Sequence, residues 1–270
     1  MYVTKFALEQ LFVPINDGRK IEFWFDGNSK ITDGNGSFDN PVANAFSLIQ
    51  IADCPYATPT CQSVCYVNRL EIAETEVHSK YHINSVSIRE ILKKPRDLVY
   101  TATVFSRWIE ENCPAGFRWH VSGDIFSLEY AYFISLVCEL IPEIPFWIYT
   151  RSFKYLEPLY GIKNLMVNLS ADVDNFTEAI KFHKTYDFRI CYLTVDGSLP
   201  DVLPDNSVIF PAHNLRGQYL DKPFESSWWQ SLTLDQRKIV CPADFFGQSP
   251  SRRCGPCQKC LQPKKDRIND

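Results

Sequence analysis

The sequence predicts an α/β protein: a partial (βα)6, TIM-like barrel, whose units equally suit an open parallel sheet, with a C-terminal cysteine-rich metal-binding extension. Three observations lead there. Short apolar runs alternate with helix-like stretches between residues 44 and 213, the pattern of parallel β–α units rather than of a meander. Each run closes on a polar group, and in such folds the chemistry sits at the carboxyl ends of the strands. Seven of the ten cysteines fall into two groups, one directly after the first strand of that series and one near the C-terminus.

Taken in order, residues 1–43 read as an N-terminal strand and loop extension, with IEFWFDG (21–27) alternating before a DGNGSFDNP loop. NAFSLIQIA (44–52) reads as a buried strand running into the first cysteines. Helices follow over 74–94 and 96–112, the second opening at Pro95, a residue suited to a helix's first turn. FRWHVSG (117–123) is a strand and Ser127 to Ile141 a helix; FWIYT (146–150) is a strand followed by a short helical piece over 152–160. NLMVNLSA (164–171) is a strand, Asp174 to Lys184 a helix, and FRICYLTV (188–195) and SVIFPAH (207–213) are the last two strands. Residues 44–225 thus form the barrel-like core and 226–270 the cysteine-rich segment.

Composition narrows the class. Hydrophobic content of 45% with 14% aromatics fills a sizeable core. No apolar run reaches the ~18 residues a membrane span needs. The N-terminus has no basic segment leading into a long apolar stretch, so no signal peptide is read and a cytoplasmic location without membrane contact is expected. In a reducing compartment clustered cysteines are metal ligands or redox groups more often than disulfides. The net charge of −4 leaves no global footprint for nucleic acid, although Arg252, Arg253, Lys259, Lys264, Lys265 and Arg267 make the C-terminal end locally basic.

The first group is Cys54-x6-Cys61-x3-Cys65, within CPYATPTCQSVCY. Three thiolates on one loop hold three corners of a cubane iron–sulfur (4Fe–4S) cluster and leave one iron open, as an open position marks a catalytic zinc. A zinc completed by His78 or His82 is the competing reading. The second group, Cys241-x12-Cys254-x2-Cys257-x2-Cys260, has the four ligands of a closed site, filled by a second 4Fe–4S cluster or by zinc. Cys138 reads as core packing on a helix's apolar face; Cys113 and Cys191 carry little signal.

The order of these parts resembles the radical S-adenosylmethionine superfamily. A strand leads into a three-cysteine loop, with Tyr66 directly after Cys65. HVSGD (120–124) stands where the superfamily has its glycine-rich acidic segment, FWIYTRS (146–152) resembles its next strand end, and VNLSAD (167–172) the strand ending Ser-x-Asp. The gaps x6 and x3 are longer than the superfamily's, and one glycine with an aspartate replaces two glycines with Glu-Pro. The whole chain is also similar to a family of phage and bacterial proteins of unassigned function, which share a CP-A-T--C---CY start and a cysteine-rich end.

The resemblance implies an iron–sulfur enzyme that reductively cleaves S-adenosylmethionine, fed by an electron donor and acting on a nucleotide or nucleic-acid-related substrate. It places Ser122, Gly123 and Asp124 at the methionine amino group. It puts Tyr66, Thr150, Arg151, Asn168 and Ser170 around the cofactor, and Asp124 and Asp172 in catalytic positions. Two other readings stay open. One is a barrel-type nucleic-acid base transglycosylase with a structural zinc, for which Asp124 or Asp172 is the candidate nucleophile. The other is a non-catalytic, metal-stabilised nucleic-acid-binding protein that uses the basic tail and the Trp228-Trp229 pair.

Overall fold

The computed structural model describes residues 8–15, 17–27, 43–67, 75–247, 249–252, 254–257 and 259–261. The DGNGSFDNP loop and the basic residues Arg253, Lys264, Lys265 and Arg267 lie outside them. The chain forms one eight-stranded sheet in sequential order: β1 (Leu8–Pro14), β2 (Lys20–Gly27), β3 (Ala43–Phe46), β4 (Phe117–Trp119), β5 (Phe146–Thr150), β6 (Leu165–Ala171), β7 (Arg189–Thr194) and β8 (Val208–Pro211). β1–β2–β3 pair antiparallel, and β3 to β8 pair parallel throughout. The six parallel strands are those expected from the alternation. The N-terminal hairpin adds two strands to the same sheet rather than standing apart from it.

The helices are α1 (Pro59–Ser63), α2 (Thr75–Ile91), α3 (Pro95–Asn112), α4 (Leu128–Leu140), α5 (Phe176–Tyr186), α6 (Ser227–Ser231), α7 (Leu234–Ile239), α8 (Pro242–Phe245) and α9 (Cys254–Cys257). Strand periodicity of two sends alternate residues to opposite faces. Phe23, Phe25, Phe46, Phe117, Trp119, Phe146, Ile148, Val167, Leu169 and Ile190 share one face and one core with α2 to α5. Phe105 of α3 sits at its centre, meeting Phe23 at 4.8 Å and Phe46 and Phe133 at 5.4 Å, all edge-on. Each such ring contributes on the order of 2–3 kcal/mol by leaving water. The opposite, inner face carries Ala45, Trp147, Tyr149, Met166, Cys191 and Val208, and the C-terminal residues Cys260 and Leu261 pack on it.

Two expected strands are shorter than read, for local reasons. The strand from residue 44 stops at Phe46 because side chains of α2 take over its next backbone groups. Asn84 Nδ2 donates to Ser47 O at 2.8 Å, and Ile49 N donates to Ser85 Oγ at 3.0 Å. The strand from residue 117 stops at Trp119 because His120 adopts a left-handed φ of 60°. The piece over 152–160 forms two 3-10 turns, Phe153–Tyr155 and Glu157–Leu159, rather than an α-helix. Trp228 and Trp229 are buried, Trp229 stacking on Phe245 at 4.6 Å, so the pair belongs to a core beside β8 and not to an exposed surface.

Candidate functional site

The loop carrying Cys54, Cys61 and Cys65 is seated on the carboxyl ends of the parallel strands. After β3 the chain turns through Ile51, at φ 62°, into Cys54. Thr58 and Pro59 then start α1: the Thr58 hydroxyl accepts from Cys61 N at 3.0 Å, and proline fills the first helical position, where its missing N–H is not needed. This one-turn helix presents Cys61 in its middle and Cys65 just past its end.

Two carboxylates, the buried Asp172 and the exposed Asp174, fasten the loop down. Thr58 Oγ1 donates to Asp172 Oδ2 at 2.5 Å, and Thr60 N donates to Asp174 Oδ2 at 2.9 Å, so the end of β6 grips α1. Asp124 N donates to Asp53 O at 2.7 Å, and Tyr66 OH donates to Val121 O at 2.9 Å, joining the loop to the segment after β4. Asp53 in turn pairs with Arg89 of α2, whose guanidinium lies 3.8 Å from the centre of the Phe126 ring.

Arg151, directly after β5, links the two acidic positions. Its backbone N–H donates to Asp124 Oδ2 at 2.8 Å and its Nη2 to Asp172 Oδ2 at 3.0 Å. Asp124 Oδ1 accepts from Thr150 Oγ1 at 2.6 Å and from Ile125 N at 2.7 Å; Asp172 Oδ1 accepts from Asp174 N at 3.0 Å. An ionised carboxylate has about four acceptor sites, so each aspartate is largely occupied by the fold itself. Burial pushes the Asp124 carboxyl above the usual range, while Thr150 and the backbone donors pull it back.

Gly123 permits the close approach of two strand ends. At φ 80° it occupies a conformation that favours glycine, and a Cβ there would stand 2.5 Å from Leu48 Cβ. Gly123→Ala combines that strain with a forced shift, and about 2–4 kcal/mol of folding stability is the expected loss. Urea denaturation measures it; an unchanged midpoint would mean that the Leu48 backbone moves aside freely.

The three thiols stand within electrostatic range of one another. Burial, with Asp124 next, pushes the Cys54 thiol up to about 12. Burial also raises Cys61, although the nearby Arg151 guanidinium opposes it. A nucleophilic cysteine needs the reverse environment. Thiolates in this loop need a bound cation to offset burial, which is the condition a metal ligand meets. Among the described residues no three histidine, cysteine or acidic side chains already converge on a point that would hold a metal ion. The donor set and its seating suit a thiophilic group; side-chain closure around one is not present.

Of the other residues expected around a cofactor, Thr150, Arg151, Gly123 and Asp124 lie in this network and Tyr66 at its edge. Ser122 is buried beneath it, its carbonyl accepting from Leu48 N at 2.9 Å. Asn168 is elsewhere: it is buried on the inner face, and its Nδ2 donates to Ile148 O and to Cys260 O. Ser170 shares that face, half-buried. Sequence reasoning missed Thr58 and Arg89. Thr-Pro is a helix-start signal that marks Thr58, whereas nothing local marks Arg89, which acts across 36 residues. A cavity of about 260 Å³, lined by Thr60, Val173, Tyr192, Thr194, Asp196 and Ser198, opens beside α1 at the ends of β6 and β7.

Among the described residues no helix is long and apolar enough to cross a membrane. No solved structure matches the chain. Two curated phage proteins are similar to it: the Gene 88 protein of Mycobacterium phage L5, 32% identical, and that of Mycobacterium phage D29, 30% identical, each over 164 residues. The aligned stretch is 56% of this chain and 66% of each relative, so the chain spans just under two thirds of their length. The family described as Gene product 88 matches residues 21–263, and the chain belongs to that family.

Proposed function

We propose that the chain is an iron–sulfur enzyme of the radical S-adenosylmethionine type, with Cys54, Cys61 and Cys65 as ligands of a 4Fe–4S cluster and a nucleotide or nucleic-acid-related substrate. The observation that carries this reading is the seating of a three-cysteine loop on the carboxyl ends of β4, β5 and β6 by Asp124, Arg151 and Asp172. The winding agrees with a partial barrel: strand order never reverses and α2 to α5 share one face, where a doubly wound sheet places helices on both. Such a cluster, when bound, supplies the electron that cleaves S-adenosylmethionine and begins hydrogen abstraction from substrate.

The chain's own residues divide the remaining work. Asp172, with no exposed surface, positions α1 through Thr58 and holds the Arg151 guanidinium beside Cys61. That cation offsets part of the charge of a three-thiolate ligand set. Asp124 is 7% exposed and has three acceptor positions filled, leaving about one for an amino group arriving from the mouth. The cavity beside α1 gives a substrate room next to the loop. A second metal, iron–sulfur or zinc, occupies the C-terminal cysteine group.

Anaerobic purification with metal analysis tests the reading. Brown protein carrying about four irons per cubane, whose spectrum shifts on adding S-adenosylmethionine and which then releases 5′-deoxyadenosine, is the expected result. Cys54, Cys61 and Cys65 replaced together by alanine should leave a folded chain without that signal. Colourless protein holding only zinc, or a cluster indifferent to the cofactor, would redirect the assignment to the transglycosylase or the binding-protein reading.

A further inference from the structure

A second cavity, of about 440 Å³, opens just past the end of β8. There the chain makes two 3-10 turns, His213–Leu215 and Gly217–Tyr219, which bring the His213 and Tyr219 rings face to face, 4.3 Å apart and 27° from parallel. Trp228 of α6 also lines the cavity, and its indole nitrogen donates to Gly197 O at 3.0 Å. Gly197, at φ 92°, lets that ring close on the turn after β7: a Cβ there would stand 2.7 Å from Trp228 Cδ1.

This turn separates two cavities. Thr194, Val195, Asp196 and Ser198 line the one beside α1. Trp228 and Asn214, which line the second, grip the same stretch, Asn214 Nδ2 donating to Val195 O at 3.0 Å. The cavities therefore adjoin, with residues 194–198 between them.

Their linings differ in charge. No cation lines the cavity beside α1; its charged group is Asp196, whose carboxyl the Ser198 hydroxyl and N–H hold below the usual range. No carboxylate lines the cavity past β8. Its charged group is Arg216, whose Nε donates to Pro211 O at 3.3 Å and whose Nη2 lies 3.6 Å from Asp244. The Asp244 side chain is 6% exposed and that of Arg216 28%, so the cavity meets the guanidinium rather than the carboxylate. Ser226 and Ser227 add hydroxyls.

Rings, a cation and hydroxyls together suit a nucleobase with its phosphate. Every base has a flat face to stack on an aromatic ring, and guanidinium groups bind phosphate. Beside Asp196 a phosphate would be repelled, so that cavity suits a base or sugar instead. The ring platform is open to a long ligand, Tyr219 being 56% exposed. The chain's charge is divided in the same sense: residues 213–270 hold ten basic and six acidic residues, net +4, and of the total of −4 this leaves −8 on residues 1–212.

We infer that the cavity past β8 binds single-stranded nucleic acid, one base stacking on Tyr219 with its phosphate at Arg216, and so leads the neighbouring nucleotide across residues 194–198 to the cysteine loop. The inference rests on the nucleic-acid-related substrate proposed for that loop and narrows it to a single strand, because the base faces of a duplex are already stacked.

The test titrates the anaerobically purified chain into fluorescein-labelled strands of about ten nucleotides, the length that such grooves cover. The strands are dT, rU, a hairpin duplex and an abasic strand with the same number of phosphates, and anisotropy reports binding. The dT or rU strand should bind about tenfold tighter than the duplex and the abasic strand, and the tighter of the two names the sugar. Tyr219→Ala should weaken strand binding about tenfold, while Tyr219→Phe keeps it. Because Tyr219 is mostly exposed, both variants should melt like the parent. An abasic strand bound as tightly as dT and rU, or unchanged affinity in Tyr219→Ala, would overturn the site and leave only attraction to the basic C-terminal end. The chain with Cys54, Cys61 and Cys65 replaced by alanine should bind strands as the parent does. Strand binding without iron or cofactor cleavage would thus refute the enzyme reading alone, and cofactor cleavage without strand binding would refute this site alone.

Discussion

Replacing Asp172 by alanine is expected to lower folding stability by about 3–5 kcal/mol, the usual penalty for removing one partner of a buried ion pair. Asp172 has no exposed surface, and the change strands the Arg151 guanidinium, the Thr58 hydroxyl and the Asp174 N–H together. For a chain of this length the melting temperature should fall by roughly 10 °C. Asp172→Asn keeps the shape and the acceptor oxygen, so it should lose less. Thermal and urea unfolding of both variants check the expectation. A fall below about 1 kcal/mol for alanine would mean that water reaches Arg151 and that the aspartate does not organise the loop.

The second large effect is a dependence on acid carried by His120. Burial, with the neighbouring Arg118 cation next, holds its imidazole down to about 3 against an ordinary value of 6.5. Its Nε2 meets Tyr130 OH at 2.7 Å. Because the folded value lies below the unfolded one, the contribution to stability is complete above about pH 6.5 and is lost as pH falls towards 3. A displacement of that size corresponds to about 4–5 kcal/mol over the whole window. Asparagine tolerates the left-handed backbone at this position. His120→Asn should therefore be somewhat less stable at pH 7, and the gap to the parent should shrink steadily from pH 6.5 to 5, before most carboxylates titrate. Parallel stability curves over that interval would remove His120 from the account.

The two effects act on neighbouring parts of one device. His120 follows β4 and sets the left-handed turn that sends the chain through Ser122 and Gly123 to Asp124; Asp172 closes the same network from β6. Loss of either is expected to loosen the seating of Cys54 and Cys61 before it unfolds the aromatic core around Phe105, since that core lies on the helix side of the sheet.

Much of this was legible locally. Short apolar runs set between helix-like stretches marked all six parallel strands, because strands covered on both faces are apolar along most of their length. Pro95 and Ser127 marked helix beginnings, because capping is a contact over one to three residues. The grouping of cysteines was equally visible. Strand ends were less so: Asn84 and Ser85 of α2, more than thirty residues away in sequence, terminate β3, and no local pattern records that.

By itself, then, the sequence determined the β–α repeat, the place of Cys54, Cys61 and Cys65 directly after a strand, and the acidic and hydroxyl residues at the strand ends. These follow from periodicity and from chemistry written within a few neighbouring residues. Tertiary structure alone decided the rest. It joined Asp124 to Asp172 through Arg151, turned Asn168 away from the cysteine loop, and packed Cys260 beside Cys191 on the sheet face opposite α2 to α5. Those arrangements depend on which face each strand presents and on which distant backbone comes to lie against it. A buried charge or thiol takes its partner from space rather than from the chain, and only the folded sheet defines that space.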